Sequence, residues 1–265
     1  MFHSAATVVV GVDGSKAAID AARWAVDEAV SRDMPLRLVY VIEPSEPVGA
    51  EVETGGHAAA RSALRDAQRA VEATGKPVKI ETEILTGKPL VALMEESRAA
   101  AMICVGALGR NHAHHGVGSL AAAVAASALC PVAVIRRAPG QPAPRQVSRV
   151  VVEADKAALL RFAFDEARLR RAPLCAISVS ATAGSDNPDG RRLAQAELRR
   201  RIAPWEHLYP DVPVESGVVR GTVDKYLDAA EEPDQLFVTD SRACRELCGT
   251  PNAKHSVLAF RFGNL

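Results

Sequence analysis

Residues 7–41, TVVVGVDGSKAAIDAARWAVDEAVSRDMPLRLVYV, decide the class of fold. Three consecutive valines without polar alternation suit a strand covered on both faces, as in a parallel sheet sheltered by helices. From Ser15 onward the periodicity changes. Ala18, Ala22, Trp24, Ala25 and Ala29 gather on one side of a helix, while Arg23, Asp27 and Arg32 turn outward. Ser15 stands where an N-cap hydroxyl accepts from a first-turn amide, and Pro35 ends the helix before a second apolar run.

The same alternation continues along the first half, where VVVGV, LRLVYVI, VKIETEIL, AMICVG and PVAVI are short runs rich in valine and isoleucine. Between them a second helix is expected over roughly His57 to Thr74, ending at Gly75, and a third from Pro89, a residue tolerated in a first turn. Right-handed crossovers then place helices on both faces of a doubly wound, five-stranded parallel sheet, an α/β fold.

RRAPGQPAPRQVS, residues 136–148, interrupts any helix or ladder with prolines and a glycine and marks a boundary. Beyond it the first unit repeats. RVVVEADKAALLRFAFDEARLRRAPLCAISV echoes the opening stretch down to the shared DEA. PVESGVVRGTVDKYLDAAEEPDQLFVTD echoes KIETEILTGKPLVALMEESRAAAMICVG, with Gly221 matching Gly87. Two tandem domains are expected, 1–138 and 148–265.

Bulk properties narrow the function. Lysine and arginine total 32 and balance 32 aspartates and glutamates, which removes the electrostatic footprint of a nucleic-acid or anionic-membrane binder. No apolar stretch approaches the roughly 20 residues a membrane span needs, and no basic segment precedes an apolar leader, so a cytoplasmic protein is expected. The five cysteines form no disulfide framework. Cys244, Cys248 and His255 fall short of the four ligands of a structural zinc site and read as unpaired thiols with a neighbouring histidine.

A doubly wound sheet takes its ligand outside the carboxyl ends of the strands, where the winding reverses. In a five-stranded version the first and fourth strands flank that point, and here they end in VDGS, with Asp13, and VGALG, with Gly106 and Gly109. Ser15 can cap without Asp13, which frees the carboxylate for a ligand. Glycines allow close backbone approach, and Gly118 and Ser119 open the next helix, whose unpaired amides favour phosphate. A nucleotide suits this layout. His112, His114 and His115 read as a solvated polar loop in preference to phosphate contacts. GKPL at 87–90 lacks the spacing of a phosphate loop and reads as a turn into a helix.

These residues resemble the universal stress proteins, of the nucleotide-binding kind and in tandem form, and in particular the dormancy-associated tandem members of actinobacteria. The family closes its first strand with aspartate, glycine and serine, as GVDGS does, and carries G-x-x-G, about nine residues, then G-S or G-T. Gly106, Gly109, Gly118 and Ser119 match, with RNHAHHGV one residue shorter than usual. The resemblance implies ATP, with Mg²⁺ accompanying the triphosphate. Asp13 and the backbone of Val41 would hold the adenosine, Gly106 and Gly109 would border ribose and phosphates, and Gly118 with Ser119 would hold the phosphates.

The second half lacks this equipment. VVEADK keeps an aspartate, Asp155, without Gly-Ser and with an expected turn four residues shorter, and FVTDSRACRELCGT lacks the spaced glycines. Six residues separate Gly249 from SVLAF, too few for a helix of normal length to present amides there. A degenerate, non-binding copy is expected, paired with the first as an intrachain pseudo-dimer, and a homodimer of whole chains is compatible with it. Trp205 and Tyr209, in a helix interrupted by Pro204, read as packing residues. No acid and base, and no nucleophile beside its base, stand in catalytic relation. The expected function is therefore an adenine-nucleotide-binding regulator of stress or dormancy acting on an unidentified signalling protein. The alternatives are a nucleotide-free interaction module and a slow ATP hydrolase.

Overall fold

The computed structural model describes residues 6–44, 49–109, 119–136, 147–180, 188–229, 234–248 and 255–262. In the first repeat β1 (Val8–Gly11), β2 (Leu36–Ile42), β3 (Ile80–Thr86), β4 (Met102–Gly106) and β5 (Val132–Ile135) line up in the order β3-β2-β1-β4-β5. Every one of these neighbours pairs in parallel. Val8, Val9 and Val10 are fully buried, as expected for the central strand of a sheet covered on both sides. The chain winds outward from β1 through β2 to β3 and then crosses to β4 on the other side. The switch point thus lies between β1 and β4.

Helix α1 (Lys16–Ser31) begins as expected: the Ser15 hydroxyl accepts from the Ala18 amide at 3.1 Å. Its buried surface is wider than one stripe, taking in Ala21 and Val26, because it packs on β1, β4, β5 and the second helix together. Glu28 is fully buried and its Oε2 lies 2.8 Å from Arg32 Nη2. Trp24, expected among the core positions, is half-buried. The helix closes at Arg32, and Asp33 turns left-handed at φ 52° ahead of Pro35.

Helix α2 (Gly49–Glu72) starts well before the expected His57 and runs through Gly55 and Gly56. A methyl at Gly55 would meet nothing within 4 Å, so neither space nor backbone demands glycine there. Gly75, at φ 67°, completes the exit. Helix α3 (Pro89–Glu96) begins at its proline as expected. Helix α4 (Ser119–Ser127) joins β4 to β5.

The second repeat follows the same plan with β6 (Arg149–Glu153), β7 (Leu174–Ser180), β8 (Val214–Arg220), β9 (Gln235–Asp240) and β10 (Ser256–Phe260), in the order β10-β9-β6-β7-β8. The correspondence extends to single bonds. The Val12 amide donates to Val39 O beyond β1, and the Ala154 amide donates to Ile177 O beyond β6, both at 2.8 Å. Helices α5 (Ala157–Arg170), α6 (Pro188–Leu208), α7 (Val223–Ala229) and α8 (Ser241–Cys248) complete it.

Three local readings change. Pro204 does not interrupt α6, which continues to Leu208. Its last turn is held by packing: the Phe164 ring lies 6.0 Å from Trp205 and 5.1 Å from Tyr209, and Arg168 stacks 4.4 Å over Tyr209. The turn after β6 consists of Ala154, Asp155 and Lys156, one residue shorter than Val12 to Ser15, not four. The helix before β10 does form, but ahead of Gly249, beginning at Ser241 directly on the end of β9.

By internal packing the chain divides into two compact units. One comprises Met1–Arg136, Ser241–Pro251 and Ala259–Leu265, the other Arg137–Asp240 and Asn252–Leu258. Helix α8 thereby lies in the first unit, packed on α4. Among the described residues no helix is long and apolar enough to cross a membrane.

Candidate functional site

The β1–α1 turn is shaped by two side chains with separate tasks. Ser15 caps the helix, while the Asp13 carboxylate folds back so that Oδ1 accepts from the Ser15 amide at 2.9 Å. Gly14 between them sits at φ 82°, a conformation that favours glycine. The other carboxylate oxygen of Asp13 points at Gly109, where an added Cβ would lie 2.7 Å from Oδ2. The two sequence elements expected to flank the site, VDGS and VGALG, therefore meet at the switch point. Glycine at 109 is what admits the carboxylate.

Gly106 has a different reason to be glycine. A Cβ there would stand 2.5 Å from the Ala17 carbonyl carbon and 2.7 Å from the Ala18 nitrogen, so the first turn of α1 rests directly on the end of β4. Val41 is in β2 opposite Leu85. Because Gly11, the end of β1, pairs with Val39, Val41 and Asp13 each lie two residues beyond that pair, towards the same carboxyl edge. Gly87 reaches that edge from β3, its amide donating to Ile42 O at 2.9 Å. Ser119 is the first residue of α4, whose amino end opens on this edge because β4 and β5 run parallel. Gly118, His112, His114 and His115 lie outside the described residues.

At the corresponding place in the second repeat the chain supplies its own partners. Lys156 takes the N-cap position of α5 without a side-chain cap and forms an ion pair with Asp240, a buried residue at the end of β9. Asp155, the counterpart of Asp13, accepts from Arg201 of α6 at 3.0 Å. Burial, and then the neighbouring Asp155 carboxylate, hold Glu153 above the usual carboxylate range. No connection separates β9 from α8, so this repeat has no segment comparable to the one between Gly109 and Ser119.

Among the described residues no three or more His, Cys, Asp or Glu groups gather to hold a metal ion. Cys104, Cys130, Cys175 and Cys244 are buried and form no disulfide, and burial pushes Cys130 up to about 11, which keeps it protonated and unreactive.

Over 263 residues, 98% of both chains, the sequence is 55% identical to a universal stress protein of Mycobacterium tuberculosis strain H37Rv. The chain belongs to the universal stress protein family. The family pattern itself matches residues 5–136. A second universal stress protein of the same organism is 44% identical over 237 residues, covering 88% of this chain and 84% of the relative. The crystal structure of a universal stress protein from Archaeoglobus fulgidus superposes with a TM-score of 0.70 at 16% identity, covering 97% of each chain, and shows the same fold.

The contacts that hold the far end of α4 carry no local signal in the sequence. Ser97, buried after α3, accepts from the Leu129 amide just beyond α4, and Arg261 donates to Ser127 O, the last carbonyl of α4. Partners 32 and 134 residues apart obey no periodicity or motif.

Proposed function

We propose that this universal stress protein is an adenine-nucleotide-binding regulator of stress or dormancy, with one site, in its first repeat, for ATP and accompanying Mg²⁺. The observation that carries the reading is the Asp13 carboxylate seated against Gly109 at the switch point, where a Cβ would press on the oxygen at 2.7 Å. A carboxylate accepts from sugar hydroxyls, whereas phosphate goes to unpaired amides at a helix start. Asp13 and the backbone of Val41 thus receive the adenosine. Gly106 and Gly109 keep the edge low, and Ser119, which opens α4, receives the phosphates together with Gly118, the residue before it in the sequence. The Mg²⁺ is held by phosphate oxygens and water, in keeping with its preference for a partly hydrated octahedron. Among the described residues at this edge no nucleophile is paired with a base, and the role proposed is to store and report the nucleotide.

Calorimetric titration of the full chain with MgATP tests this. The unaltered chain is expected to bind, with Asp13→Asn and Gly109→Ala each weakening binding about ten-fold or more, roughly 1.4 kcal/mol, while the fold is kept. No binding heat, together with no nucleotide in heat-released extract of freshly purified protein, would leave the interaction-module reading in its place. Steady turnover abolished by Asp13→Asn would favour the hydrolase.

A further inference from the structure

Helix α4 has an unusual composition, SLAAAVAAS, with no acidic residue in its first turn and no basic residue in its last. Nothing on the helix itself therefore offsets the partial negative charge on its final carbonyls. Its small side chains give it little grip of its own, and a helix of this length does not persist without tertiary partners. The partners come from two places. From the first repeat, α3 packs against it, and the buried Ser97 hydroxyl donates to Met94 O at 2.6 Å while accepting from the Leu129 amide at 3.1 Å. The second repeat contributes α8, with Cys244 and Leu247 buried, and Arg261, whose Nη1 donates to Ser127 O at 3.0 Å. All of these residues lie in the first compact unit.

The cation at Ser127 O meets the end of α4 where the dipole and the unpaired carbonyls call for one. Ser119, at the other end, opens on the candidate site. Between them the helix runs nine residues, about 14 Å, and moves as one body, so what fixes its carboxyl end also fixes the amides at its amino end. We infer that Arg261, alongside α8, is a positioning residue for the first repeat's nucleotide site: the end of the second repeat clamps α4 so that its opening turn stands ready for phosphate. The inference rests on the adenine-nucleotide reading above. It also gives the degenerate repeat a task that its own switch point does not supply.

The test uses the full chain with Arg261→Ala and Arg261→Lys, titrated with MgATP by calorimetry, alongside hydrogen exchange of the Leu120–Ser127 amides without nucleotide. Arg261→Ala is expected to bind about five-fold to ten-fold more weakly and to exchange these amides about five-fold faster, with an unchanged far-ultraviolet spectrum. Arg261→Lys, which keeps a cation and a donor, is expected to return both within about two-fold of the unaltered chain. Should Arg261→Ala fail to fold, Arg261→Gln carries the same comparison. If the unaltered chain takes up no ATP, the nucleotide reading fails and this one falls with it. If the unaltered chain binds and the variant matches it in affinity, or differs in affinity with unchanged α4 exchange, the clamp alone is overturned.

Discussion

Two glycines three positions apart have unrelated reasons to lack a side chain. At Gly109 the missing Cβ makes room for a carboxylate oxygen, while at Gly106 it lets the backbone of Ala17 and Ala18 approach the end of β4. The sequence pattern places both in one signature and cannot distinguish them, because the atoms that press on Gly106 come from a helix ninety residues earlier in the chain. Substitution separates them. Gly106→Ala forces a methyl against main-chain atoms that have no rotamer to escape into, and is expected to cost roughly 1–3 kcal/mol of stability or more, read as a lowered urea midpoint. Gly109→Ala presses on a side-chain carboxylate that can swing away, so its cost should fall mainly on ligand affinity. An unfolding midpoint for Gly106→Ala equal to that of the unaltered chain would mean that α1 does not bear on β4 as described.

Elements were legible wherever one local rule sufficed. Ser15 at the N-cap, Pro89 in a first turn and the valine run of β1 each follow from chemistry within a few residues, and the structure has all of them. Reading failed where local signals did not decide: α2 continues through a glycine pair, α6 through Pro204, and α8 begins directly on the end of β9, ahead of Gly249. The caps also show how the repeats diverged. Ser15 accepts from Ala18, whereas Lys156 offers α5 no acceptor. Ser15→Ala is accordingly expected to lower stability by about 1 kcal/mol, measured by thermal or urea unfolding. It also loosens the turn that carries Asp13, so MgATP affinity should weaken with it. A variant as stable as the unaltered chain would deny the cap its role.

For the molecule as a whole the issue is how many ligands two similar repeats can take. Parallel strand order and register are shared, so architecture alone would allow two sites. Charge and connectivity favour a single site, as the proposed reading has it. At the second switch point Lys156 is committed to the buried Asp240 and Asp155 to Arg201, and the partly buried Glu153 resists any further negative charge beside it. A phosphate there would have to displace an ion pair and would find no connecting segment before α8 to supply amides. The missing Gly-Ser after Asp155 gave notice of this in the sequence, but the ion pairs that fill the place did not, since Lys156 and Asp240 are far apart along the chain. Saturating titration of the full chain should therefore give one MgATP per chain. Asp155→Ala should leave that stoichiometry and affinity within about two-fold, whereas Asp13→Ala should remove binding. A stoichiometry of two, or loss of binding on changing Asp155, would place a working site in the second repeat and overturn the division of labour between the copies.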